Sequence, residues 1–229
     1  IKTPHFTCTP TVRDFDARQL IAKLGLPLNT ADPKALTAVG AALNYSASAT
    51  AADVTQLKLH MDQTHLNGNA AVKDFAHPAY RFQLTVDQLD ADRYLPPPAQ
   101  QKAEPVTPAT AGAAAATLPL KTLRALNLDG TLSLAKFTLA RLTVSDIEAK
   151  VAAKAGVIHA APLSAKLYGG SYSGSLLLDA RGKAPQIAAN ENLEGVDIGA
   201  LSRDMLNKDL VAGTGSVHMN LHGTGADPQ

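Results

Sequence analysis

The sequence predicts an α+β chain that is mainly β, built from repeated units of short helices and a curved antiparallel sheet. Three observations carry that expectation. Apolar and polar residues alternate with a period of two over most of the chain, as half-buried strands require. Helical periodicity is confined to short windows bracketed by aspartates, glycines and prolines. A set of markers also recurs in the same order, the signature of an architecture that grows by adding supersecondary units.

The first helix is expected from about Phe15 to Leu24, with Asp14 or Asp16 as its cap. Phe15, Leu20, Ile21 and Leu24 form its apolar stripe, and Gly25 and Pro27 stop it. Asp32-Pro33 predicts a short second helix ending near Gly40, the aspartate as N-cap and the proline at the first helical position. The period then changes to two. Leu43, Tyr45 and Ala47 alternate with Asn44, Ser46 and Ser48, and the pattern continues through Leu57–Met61, Leu66–Val72 and Tyr80–Val86. Asp62-Gln63 and Ala76-His77-Pro78 supply the turns. A short helix is expected at Asp90 to Tyr94, before Pro96-Pro97-Pro98. Pro119 opens another through Arg124. Alternation returns at Leu126, Leu128, Leu132 and Leu134 and runs on to Tyr172, Leu176 and Leu178. Asp197 caps a helix to about Asn207, and a last strand alternates Val217, Met219 and Leu221 with His218, Asn220 and His222.

The repeat is visible residue by residue. Leu66-Asn67-Gly68-Asn69 matches Tyr172-Ser173-Gly174-Ser175, and each is followed by a proline (Pro78, Pro185) and then, twelve positions on, by a capping aspartate (Asp90, Asp197). Leu43-Asn44-Tyr45 matches Leu126-Asn127-Leu128. Tyr45 to Leu128 and Leu128 to Val211 are each 83 positions apart. The resulting division is a first helix-plus-sheet unit at 1–95, a Pro/Ala-rich linker or loop at 96–118, a second unit at 119–207, and the start of a third at 208–229. The chain reads as a segment of a longer protein.

Composition excludes several function classes. Apolar residues make up 45% of the chain but aromatics only 4%, with no tryptophan, so Ala, Leu and Val pack the interior and aromatic ligand pockets are not expected. A net charge of +1 without a basic run argues against nucleic acid. Cys8, the single cysteine, excludes an intrachain disulfide. Among the histidines, His5, His60, His65, His77 and His159 are scattered. His218 and His222, four apart in a strand, stand about 13 Å from each other, too far for a shared metal. Gly169-Gly170-Ser171-Tyr172-Ser173-Gly174 lacks the central serine of a nucleophile elbow, and Gly213-Thr214-Gly215 lacks the third glycine of a dinucleotide loop. No catalytic residue, metal site or cofactor is expected. What remains is a Leu/Val-rich strand face, covered by the helices as an ordinary core or left open as a groove for acyl chains or a partner strand.

The stretch Leu126-Asn127-Leu128-Asp129-Gly130-Thr131-Leu132, the run from Pro162 to Ser175, and the continuations Leu193–Leu201 and Leu210–Gly215 resemble the AsmA family of Gram-negative envelope proteins. Upstream, Phe15–Leu24, Ala31-Asp32-Pro33, Arg81–Leu84 and Leu89–Pro96 do so too. The resemblance implies a periplasmic segment tethered to the inner membrane by an N-terminal helix outside this sequence. It also implies kinship with repeating-β-groove lipid-transfer proteins, whose taco-shaped sheets shield phospholipid acyl chains. The expected role is phospholipid transport and outer-membrane biogenesis. The alternative is a scaffold acting on other envelope proteins, in the regulation of outer-membrane protein assembly and targeting, without carrying lipid. The candidate groove positions are the apolar members of the alternating strands: Leu57, Leu59, Val72, Leu84, Val86, Leu132, Leu134, Leu176, Leu178, Val217 and Met219.

Overall fold

The computed structural model describes residues 5–96, 119–208 and 212–225; the linker expected at 96–118 falls almost wholly outside them. Two short strands, β1 (His5–Cys8) and β2 (Thr11–Phe15), precede helix α1 (Ala17–Lys23). Four long strands follow: β3 (Val39–Ser48), β4 (Ala51–Met61), β5 (Thr64–Lys73) and β6 (Ala79–Asp90). A 3-10 turn at Ala91–Arg93 ends this half. Helix α2 (Leu120–Ala125) opens the second, which holds β7 (Leu128–Leu139), β8 (Leu142–Lys154), β9 (Val157–Leu167), β10 (Gly170–Asp179) and β11 (Gln186–Asp197). Helix α3 (Ile198–Leu206) and strand β12 (Thr214–Thr224) complete it.

All twelve strands belong to one open, curled, mainly antiparallel sheet, ordered β1-β3-β4-β5-β6-β7-β8-β9-β10-β11-β12, with β2 on the same edge of β3 as β1. The predicted fold class is therefore the observed one. The two halves join through β6 with β7, the one parallel pair among the described residues. Strand β6 ends at the rim carrying the 3-10 turn, and β7 starts at the opposite rim beside α2. The halves are not equal in strand number. The marker pairs Gly68/Gly174 and Asp90/Asp197 equate β5 with β10 and β6 with β11, while the 83-residue step equates β3 with β7 and β7 with β12. The second half holds one strand more, and β12, which starts at the rim where β11 ended, pairs with it antiparallel.

The helix caps follow the local chemistry. Asp16 accepts from the Gln19 amide at 2.8 Å and Asp197 from the Ala200 amide at 3.0 Å, each relieving an orphan donor of the first turn. Asn207, in the left-handed conformation, closes α3. Two expectations are corrected. Helix α1 starts at Ala17, because Phe15 pairs with Val39 as the last residue of β2. No helix forms from Asp32 to Gly40. Leu36 has a φ of +66°, and the Leu36, Thr37 and Ala38 amides donate to the Asp62 carboxylate rather than to helical carbonyls. Asp32 itself turns back onto the Lys34 amide and binds Arg93 Nε at 2.8 Å, tying this segment to the 3-10 turn. Gly40 lies within β3.

The helical pieces stand at the strand ends. Helix α1, the 3-10 turn and α3 lie at one rim, where β6 and β11 finish, and α2 lies at the other. The buried apolar residues are few: Ala35, Val86, Leu134, Ala153, Ala180, Ala189 and Val196 among the described residues.

Candidate functional site: the apolar face of the sheet

Residues opposite one another in a ladder share a face, so the register shows how far the alternation extends. Leu59 pairs with Leu66, Leu66 with Val86, Val86 with Leu134, and Leu134 with Ile147. The next row runs Leu43, Leu57, Gly68, Leu84, Leu132, Ala149, Leu163, Gly174, Glu191, Met219. A third row runs Tyr45, Val54, Ala70, Phe82, Gly130, Val151, Ala160, Leu176, Ala189, Leu221. The fourth starts with Ala47, Ala52, Val72, Tyr80, Leu128 and Ala153 and ends with Ile158, Leu178, Ile187 and Gly223. Tyr172, Leu193 and Val217 continue the first row over the last strands. Bulges keep the rows in phase. Pro162, which has no N–H to offer the ladder, sits at one of them in β9.

All eleven candidate positions thus lie on one face. Their surroundings differ. Val86 and Leu134 are buried, at 8% and 9% exposure, on the side where the 3-10 turn packs against β7. Leu57, Val72, Leu84, Leu132 and Leu178 are half-buried, and Leu59, Leu176, Val217 and Met219 are exposed. The opposite face carries Lys58, Asn67, Gln83, Asp129, Glu148 and Lys150, all exposed. No described helix lies across the middle of the apolar face, yet its side chains are on the whole less exposed than those of the polar face. Large apolar side chains in adjacent rows screen one another from water, which produces that difference. Eleven strands at about 4.8 Å spacing give this face about 48 Å of extent across the strands.

Sequence reasoning left out further members of the face: Phe6, Tyr45, Tyr80, Phe82, Ile147, Val151, Leu163, Ile187, Leu193 and Leu221. Strand parity was the signal that identifies most of them, since Tyr80 and Phe82 share phase with Leu84, and Leu221 with Met219. Three strand glycines also belong here. The Phe82 ring lies over Gly130, Leu84 over Gly68, and Tyr172 with Glu191 over Gly174, each where a Cβ would collide. A large cross-strand neighbour covers the backbone that each glycine leaves bare.

Charge chemistry gathers elsewhere. On the polar face near one rim, His60 and His65 stack at 5.7 Å, with Nδ1 of His60 3.3 Å from Asp14 and Nδ1 of His65 2.8 Å from Asp87. Burial pushes the Asp87 carboxyl up, but hydrogen bonds from the amide and ring of His65 outweigh it and hold it below the ordinary value. Groups of three or more His, Cys, Asp or Glu side chains able to hold a metal ion are absent among the described residues. Asp179 is held at about 2 by its hydrogen bonds from the Arg181 side chain and amide. On the apolar face, burial and a hydrogen bond donated to Glu191 push the Tyr172 phenol up to about 12.

The family model described as the AsmA family matches residues 20–229 of this chain. No curated protein and no solved structure matches it.

Proposed function

Since the chain belongs to the AsmA family, an envelope protein family not known for enzymes, we propose that it works without catalysis, by shielding phospholipid acyl chains on its apolar sheet face. In this reading it is a periplasmic segment of a protein anchored in the inner membrane, and it supports phospholipid transport to the outer membrane and assembly of that membrane. None of the described helices is long and apolar enough to cross a membrane.

One observation carries the reading: the apolar rows, with Glu191 as their single charge, stay in phase through the bulges from β3 to β12 with no described helix over their middle. An acyl chain loses about 0.8 kcal/mol of hydration penalty per methylene buried and has no hydrogen bond to give. A sheet suits such a cargo, because its backbone groups are already satisfied within the ladder and only side chains face the ligand. Leu, Val and Ala supply most of the lining, and its tyrosines and phenylalanines are spread over β1, β3, β6 and β10 rather than gathered into one pocket that would fix a pose. That favours a conduit over a tight single-ligand site.

The test uses Leu176→Asp together with Met219→Asp. Both residues are well exposed, at 40% and 46%, so neither substitution buries a carboxylate, and a circular dichroism spectrum checks that the variant stays folded with the carboxylate introduced at Met219 opposite Glu191. Native mass spectrometry of the purified chain is expected to find phospholipid on the wild type and to find it lost from the double variant. Retention of lipid by the variant would remove these positions from the groove. Wild-type protein that carries no lipid but a reproducible protein partner would favour the scaffold role instead.

A further inference from the structure

Across the four apolar rows, spanning β3 to β12, a single residue is charged: Glu191. It sits in β11 between Gly174 of β10 and Met219 of β12. Its carboxylate lies directly over Gly174, in the space a Cβ would fill, and accepts a hydrogen bond from the Tyr172 hydroxyl. Because Gly174 has the same strand phase as Tyr172 and Leu176, the carboxylate is on the apolar side. Among the described residues no Lys, Arg or His forms a salt bridge with it.

A half-buried anion on an apolar face is costly unless something compensates it. One phenol donates one hydrogen bond, whereas a carboxylate has room for about four. A ligand suited to the site would bring hydrogen-bond donors and positive charge to the carboxylate, with an apolar remainder to lie on Leu176, Ala189 and Leu221 in the adjacent row. A phospholipid with a primary ammonium headgroup meets both demands, offering three N–H donors. An anionic glycerol headgroup meets the charge requirement with the wrong sign.

We infer that Glu191, steadied by Tyr172 over Gly174, reads the headgroup of a bound lipid and selects amine-bearing phospholipids. The inference rests on the face being the lipid-binding surface proposed above. The experiment incubates the 229-residue chain with vesicles of equal phosphatidylethanolamine and phosphatidylglycerol, then measures the protein-bound lipids by mass spectrometry. Wild type is expected to enrich phosphatidylethanolamine roughly fivefold. Glu191→Gln should bind the two lipids at the vesicle ratio, and Tyr172→Phe, which keeps the carboxylate, should keep the enrichment. Wild type that binds both lipids without preference overturns the inference whatever the variants do, as does a preference that survives Glu191→Gln. Either result leaves the groove standing. Wild type that takes up no lipid at all overturns the groove itself.

Discussion

Asp62 holds the entrance to the sheet, and removing it has a calculable cost. It occupies the β4–β5 turn with a φ of +54°. Its Oδ2 accepts the Leu36 amide at 2.8 Å and the Tyr94 hydroxyl at 3.1 Å; its Oδ1 accepts the Thr37 and Ala38 amides at 3.0 and 3.1 Å. Burial pushes this carboxyl up, but the amide bonds from Leu36 and Ala38, with the Tyr94 hydroxyl, prevail and hold it below its usual value. Hydrogen bonds to a charged acceptor contribute about 1.5–3 kcal/mol each, and water can recover part of that at an exposed amide such as Thr37. Asp62→Ala should therefore cost about 3 kcal/mol locally. Asp62→Asn should cost about half as much, since asparagine keeps one acceptor and tolerates the positive φ. Amide hydrogen exchange at Leu36, Thr37 and Ala38 reads this directly, with a roughly hundredfold acceleration expected in Asp62→Ala. The sign with pH follows from the lowered pKa. Protection is full above the unfolded carboxyl value and is lost as pH falls through the folded one. Exchange within threefold of wild type, with an unchanged circular dichroism spectrum, would show that these bonds do not hold the segment.

Two further outcomes are expected. Leu134→Ala should lower the urea midpoint by the equivalent of about 2–4 kcal/mol, because Leu134 is 9% exposed, whereas Leu176→Ala, at 40%, should cost under about 1 kcal/mol; equal losses would mean that the face is covered throughout. The Asp179 carboxyl should titrate by NMR near 2 and return toward 3.8 in Arg181→Gln. The stabilising effect of that pair is present above pH 3.8 and disappears as the pH falls toward 2.

Strand phase was legible in the sequence, because a period of two follows from the pleat alone and does not depend on which strands meet. That is why eleven candidates chosen by alternation lie on one face of a sheet about 48 Å across. Caps were legible for the same reason. Asp16 and Asp197 act within three residues of themselves, so local chemistry suffices. Asp32 has the same local signature but is diverted by Arg93, 61 residues away, while the amides it was expected to organise are taken by Asp62. The short strands β1 and β2 went unseen because they exist only by pairing with β3.

The sequence by itself, then, determined the long strands β3 to β12, the capped helices, the face each strand side chain takes, and the family. Tertiary structure alone decided the parallel join of β6 to β7, the extra strand of the second half, and the placement of the helices at the rims. It also decided that Glu191 meets Tyr172 over Gly174, nineteen residues away along the chain from its phenol partner. Alternation specifies which way a side chain points, but only pairing specifies what it finds there. An apolar face and a covered core share one alternating pattern, and they differ in where the short helices come to rest.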